Sequence, residues 1–256
     1  MSFKTDKPKQ PYNTYLIDGS LFIGVSAILN CESMGDFLTA WALRTFGSEP
    51  DPIAAHKFYM ENVSSIGTAI HKYIELDLQG QNADNLVNES TIGAIEAYHQ
   101  WKKENDVEVV CLEKMVHHDA WRCAGTLDAV LKVNGKLYVV DFKTGKYKPR
   151  YFTQLSAYWA MLVNEPKKSR IKGIEDAELA VLEILRDGKA GDAKFITLTD
   201  KYDGAVTKED ELGLFHSLRY IWYMRNLKSK QFTPVIKNMD VLLNPMEDDF
   251  KKTFNL

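Results

Sequence analysis

Apolar residues recur at three-and-four spacing over 34 to 46, 54 to 78 and 84 to 105, which predicts three helices along the first part of the chain. The period then changes. Runs rich in β-branched and aromatic residues predict strands near 107 to 116, 122 to 133, 136 to 143, 177 to 186 and 193 to 199. Helical spacing returns over 151 to 164 and 208 to 229. The start of the chain reads as irregular. The tail from Gln231, with Pro234 and Pro245, has no clear period and is expected to wrap the surface. With no linker and no internal repeat, the pattern predicts a single domain over 1 to 256. Its parts are a mostly helical one (1–105), a sheet-forming one (106–200) and a C-terminal helix and tail (201–256). The fold class is α/β, in the α+β sense: a central mixed sheet flanked by helices.

The Asn134-Gly135 pair between two strand-like runs is a strong hairpin signal, because a type I′ turn needs positive φ at both central residues. Val133 then faces Lys136, and stepping outward sets Asp128 opposite Asp141 and Thr126 opposite Lys143. Alternation along the second strand puts Leu137, Val139, Asp141 and Lys143 on one face and Tyr138, Val140 and Phe142 on the other. Two carboxylates and a lysine thus converge. Like charges directly opposite on a sheet destabilise it, so the pair calls for a compensating cation. Lys143 supplies one charge, and carboxylate oxygens suit Mg²⁺ or Mn²⁺ for the rest. The plainer alternative is a solvated hairpin edge with an ordinary Asp-Lys ion pair.

Composition narrows the classes. A chain of 256 residues, 45% hydrophobic and 26% charged, is long enough to bury one substantial core. Apolar runs are shorter than the ~18 residues of a spanning helix, and the N-terminus has neither a signal-peptide core nor an Arg-rich amphipathic pattern, so a cytoplasmic protein is expected, and a processed organelle protein would look the same. The net charge of −3 does not advertise nucleic-acid binding, so any such contact must come from local basic patches. Cys31, Cys111 and Cys123 are too few and too scattered for a disulfide framework. The chain has no G-x-x-x-x-G-K-[ST] phosphate loop, so no nucleotide cofactor is expected.

Gly125-x-x-Asp128, then Asp141-Phe142-Lys143-Thr144, then Gln154-x-x-x-Tyr158 resembles the PD-(D/E)XK nuclease superfamily, specifically its RecB-like branch. That branch carries an upstream metal-binding histidine in a G-x-x-x-H helix, and Gly67-Thr68-Ala69-Ile70-His71 stands in the corresponding place. GVSAILN at 24 to 30, followed by Trp41-Ala42, resembles the opening of phage and mitochondrial genome-maintenance exonucleases. The matches span about residues 21 to 160. The resemblance implies a restriction-endonuclease-like core and a metal site of His71, Asp128, Asp141 and the backbone carbonyl of Phe142. Some relatives hold an iron-sulfur cluster with four cysteines, three near the C-terminus; this chain has none after Cys123, so no cluster is expected.

Other residues are weighed against this frame. Glu75 lies one turn from His71 and is expected to orient its imidazole. Glu113, in the strand before the hairpin, is a candidate extra metal ligand; otherwise it is a surface glutamate. His117 and His118 are assigned to a solvated turn. Gln154 and Tyr158 share a helix face, either as a structural pair or as contacts to a substrate strand. Lys146, Lys148 and Arg150, interleaved with Tyr147 and Tyr151, suit phosphate contacts beside the carboxylates.

The expected function is a divalent-metal-dependent deoxyribonuclease in which Asp128, Asp141 and Lys143 are catalytic. The resemblance favours an exonuclease acting on single-stranded ends, in recombination, repair or viral genome processing. The alternatives are a structure-specific endonuclease, a catalytically inactive DNA- or protein-binding module of the same fold, and a metal hydrolase acting on small phosphoesters.

Overall fold

The computed structural model describes residues 13–32, 35–226 and 228, with side chains in the second helix from Ala40 on. Seven strands form one mixed sheet: β1 (Thr14–Ile17), β2 (Ser20–Gly24), β3 (Val107–His118), β4 (Cys123–Val133), β5 (Lys136–Lys143), β6 (Glu178–Glu183) and β7 (Lys194–Thr197). They run in the order β1-β2-β4-β5-β6-β7, and β3 pairs with β4 off this path. The β2/β4 and β5/β6 pairs are parallel and the others antiparallel.

Helices cover both faces. α1 (Val25–Leu29), α5 (Arg150–Val163) and α7 (Lys208–Asn226) pack on the face bearing Leu127, Val130, Val139 and Val181. α3 (Pro52–Leu78) and α4 (Ile92–Glu104) pack on the face bearing Ala129, Leu131, Val140, Phe142 and Leu182. The result is a three-layer α/β/α arrangement in which near-continuous apolar central strands are buried on both sides.

α3 starts where the Asp51 side chain accepts from Ala54 N–H at 3.0 Å, with Pro52 at the first helical position, where its missing N–H costs nothing. Its C-terminal half buries Gly67, Ile70, Tyr73 and Ile74 at helical spacing. Its N-terminal half stands clear of the sheet. There it packs on α2 (Gly35–Phe46) through Trp41, Phe46, His56 and Tyr59.

Three expectations need correction. The start is a β-hairpin rather than irregular, turning at Asp18-Gly19 with φ of 47° and 75°, the signature of a type I′ turn. The first 105 residues therefore contribute two strands to the common sheet as well as helices. The helix expected from 84 begins at Ile92, because Asp84–Leu86 forms a 3₁₀ turn and Thr91 Oγ1 accepts from Asn88 N–H. His117 and His118 lie in β3 opposite Ala124 and Cys123, and His118 stacks on Trp121 at 3.9 Å instead of facing solvent in a turn. The tail from Gln231 lies outside the described residues. Among the described residues, no helix is long and apolar enough to cross a membrane.

Candidate active site

The Asn134-Gly135 turn has φ of 52° and 81°, and the expected register holds from Val133↔Lys136 to Ala129↔Val140. There the ladder stops. β3 lines one edge of β4 along its whole length, while the other edge is shared by β2 at Cys123 and Ala124 and by β5 from Ala129 onward. Asp128 sits where β4 passes from one partner to the other. Instead of forming a ladder pair with Asp141, its Oδ2 accepts from Phe142 N–H at 2.7 Å.

The alternation of β4 slips at this point. Leu127 and Val130 face the same core, while Ala129 faces the other. Glu113, between the paired residues Leu112 and Lys114 on β3, has φ of 46°. Both strands break step together, so Asp128 and Glu113 line the cavity on the α3 side.

Asp141 is 2% exposed, and Lys143 Nζ makes an ion contact with its Oδ2. Among the described residues, Oδ2 has no hydrogen-bond partner beyond that contact. The ring of Tyr151 lies 4.9 Å from the same ammonium, a cation-π contact that favours the charged form. From α3, His71 Nδ1 comes within 3.8 Å of Asp128 Oδ2, and the ring meets Phe142 edge-on at 6.2 Å.

Burial pushes both carboxyls up to about 6. Lys143 pulls each of them down, and Glu113 adds to the rise at Asp128. Burial, then the positive charge of Lys143, lowers His71 below an ordinary histidine and keeps its imidazole neutral at physiological pH. Burial works against the charge on Lys143, but Asp141 and Asp128 outweigh it and raise its pKa.

His71, Asp128 and Glu113 line a cavity of about 600 Å³ with Gly67, Thr144 and Arg186. A Cβ on Gly67 would meet Thr144 Oγ1 at 2.9 Å, so the glycine of the G-x-x-x-H pattern lets α3 close onto the end of β5. A Cβ on Gly125 would meet the Tyr158 ring at 2.5 Å. The glycine preceding Asp128 and the tyrosine of the Gln-Tyr pattern are therefore one packing contact.

Tyr158 is 4% exposed, and its hydroxyl accepts from Gln154 Nε2 at 3.3 Å, the arrangement of the structural pair weighed from the sequence. Glu75 does not orient His71: its Oε2 takes Lys72 Nζ at 2.7 Å and its Oε1 takes Gln79 Nε2 at 3.2 Å, although it still lines the cavity. Lys146 is exposed and Lys148 and Arg150 are half-buried, all between Lys143 and the first turn of α5.

Two residues around the site went unassigned from sequence. Arg186, just past β6, lines the cavity, and no local pattern marks it. Glu183 is 5% exposed, lies beside Lys143 across the parallel β5/β6 pair, and accepts from Tyr147 N–H. A glutamate closing the apolar run 179–182 was the available signal.

The family model for the PD-(D/E)XK nuclease superfamily matches residues 84–234, more than half of the chain. The match takes in Asp128, Asp141, Lys143, Gln154 and Arg186, and His71 lies upstream of it. No curated protein matches the chain.

Proposed function

The chain belongs to the PD-(D/E)XK nuclease superfamily, and from that premise we propose that it is a divalent-metal-dependent deoxyribonuclease acting at single-stranded ends, an exonuclease of the RecB-like branch. As a member of a nuclease superfamily the chain is expected to cleave nucleic acid, and such nucleases generally use Mg²⁺ or Mn²⁺. The observation that carries the reading is the convergence of Asp128, Asp141, Lys143 and His71 where β4 leaves β2 for β5.

The donor set fits a hard divalent ion: two buried carboxylates with raised pKa, a neutral imidazole, and an Asp141 oxygen satisfied only by an ammonium. Among the described residues, no three His, Cys, Asp or Glu side chains already form a ligand cage. Asp128, Asp141 and His71 would be completed by the Phe142 carbonyl and by substrate oxygens, and Glu113 lines the same cavity as Asp128 and His71. When bound, the ion supplies a water of lowered pKa and stabilises charge on the phosphorus.

Lys143, fixed between Asp141 and Tyr151, holds the attacking water or the developing negative charge. Arg186 takes a non-bridging phosphate oxygen at the cavity mouth. Gln154 contacts the strand, and Lys146, Lys148 and Arg150 hold flanking phosphates. The N-terminal half of α3, which lines the cavity through Met60, Val63 and Ser64 and carries α2 on His56 and Tyr59, supports a preference for threaded ends.

The test is incubation of the purified protein with end-labelled linear and covalently closed circular single-stranded DNA, in Mn²⁺, Mg²⁺ or EDTA, beside Lys143→Ala. Metal-dependent loss of the linear strand alone is expected. Cutting of the circle would make the protein an endonuclease, and a folded, metal-binding protein that cuts neither would be a binding module of the same fold.

A further inference from the structure

A second concavity of about 620 Å³ shares no lining residue with the cavity that His71 and Asp128 line. Its walls are the loop after β5 (Lys146, Tyr147), the ends of β6 and β7 (Glu183, Lys194) and α6 (Leu198–Tyr202), which contributes Lys201. Lys146, Lys194 and Lys201 are exposed, and among the described residues none has a carboxylate within ion-pair distance. Lys201 Nζ sits 4.8 Å from the centre of the Tyr147 ring.

The carboxylates of the concavity do not neutralise these amines. Glu183 is buried and taken by Tyr147 N–H, and among the described residues Asp200 lies beyond ion-pair distance of all three amines. Lysines are ordinarily solvated surface residues. Here three, without an ion-pair partner among the described residues, share one concave wall with an aromatic ring, and Glu183 of that wall is the residue paired with Lys143 across the sheet.

We propose that this cleft is a backbone-binding subsite for the nucleic-acid strand on one side of the scissile phosphate, in which Lys146, Lys194 and Lys201 each face a phosphate. The proposal rests on the nuclease reading above. Lys146 joins the two sites, because it lies three residues beyond Lys143 and forms part of the cleft wall. Backbone contact of this kind is sequence-independent and salt-dependent: each phosphate neutralised on a single strand contributes about 0.7 to the slope of log affinity against log salt.

The experiment measures fluorescence polarisation of a labelled oligothymidylate with full-length protein in Mn²⁺ over a range of salt, with Lys143→Ala as the uncleaving background. Adding Lys194→Ala and Lys201→Ala is expected to weaken binding at low salt about tenfold or more and to make the slope shallower by about 1.4. Lys194→Arg with Lys201→Arg should keep both values, which separates lost charge from lost folding. Lys167→Ala with Lys168→Ala, exposed at the opposite end of α5, should also leave the slope alone.

An unaltered slope in the Lys194/Lys201 alanine pair overturns the cleft, as does an equal change in the Lys167/Lys168 pair. If the wild type cuts DNA and the slope does not move, the cleft fails and the nuclease reading stands. If the wild type never cuts but the slope falls as expected, the nuclease reading fails and the cleft stands as a strand-binding surface.

Discussion

Gly125 and Tyr158 meet so closely that a single added methyl carbon would lie 2.5 Å from the phenol ring and 2.7 Å from its oxygen. The contact couples the strand that carries Asp128 to the helix that carries Gln154. Gly125→Ala must push the ring or the strand aside, an overpacking cost of about 1–3 kcal/mol. A lower Tm together with a loss of nuclease activity larger than the loss of fold is expected. Tyr158→Phe should instead keep the fold within about 1 kcal/mol and lower activity by loosening Gln154. Thermal unfolding beside a cleavage assay checks both, and an unshifted Tm for Gly125→Ala would show that the ring yields freely.

The closure of α3 onto β5 is open to a double-mutant cycle. Gly67→Ala sets a Cβ against Thr144 Oγ1 at 2.9 Å, and Thr144→Ala removes that oxygen. The first change alone should move His71 away from Asp128 and weaken Mn²⁺ binding. The pair together should recover much of the loss, giving a coupling energy of about 0.5–3 kcal/mol. Strictly additive effects on Mn²⁺ affinity by calorimetry would show that the two residues act separately.

The raised carboxyls make a prediction about pH. A carboxyl whose folded pKa stands near 6 against an ordinary 3.8 favours the folded state below the lower value, and that gain is lost as pH rises through about 6. In EDTA, Asp128→Asn should therefore be more stable than wild type at pH 7.5, by at most about 3 kcal/mol at ~1.4 kcal/mol per pKa unit. The advantage should shrink as pH falls toward 4. Added Mn²⁺ should reverse the order, raising the wild-type Tm more at pH 7.5 than at pH 5 and leaving the variant unmoved. A variant less stable than wild type in EDTA at pH 7.5 would refute the electrostatic account.

Arg186 is expected to meet the substrate phosphate. Arg186→Ala should lower kcat/KM about 100- to 1,000-fold, the range lost when one charge-stabilising donor is removed. Arg186→Lys should recover only part, because lysine lacks the two-pronged geometry. Steady-state cleavage of a short oligonucleotide measures this, and an Arg186→Ala enzyme with unchanged kcat/KM would place the arginine outside the reaction.

Local chemistry alone determined a good part of this protein. Asn134-Gly135 forces positive φ at two successive residues, so the hairpin and its register as far as Ala129↔Val140 followed from two letters. Helical period located the half of α3 that bears His71, and the spacing of Asp141 and Lys143 put both on one strand face. Asp18-Gly19 carried the same turn signal as Asn134-Gly135, and was legible though passed over.

Tertiary structure decided the rest, because those features depend on segments far apart in the chain. The slip at Asp128 arises where β4 exchanges β2 for β5, and β2 joins the sheet from a hundred residues upstream. Tyr158 became a packing residue because Gly125 leaves room for its ring, and Glu75 turned from His71 to Lys72 and Gln79. Arg186 reached the cavity because β6 lies parallel to β5, which brings the residues past both strands to the same end of the sheet. No pattern of neighbouring residues encodes which strand edge a distant segment will occupy, and that choice built the site.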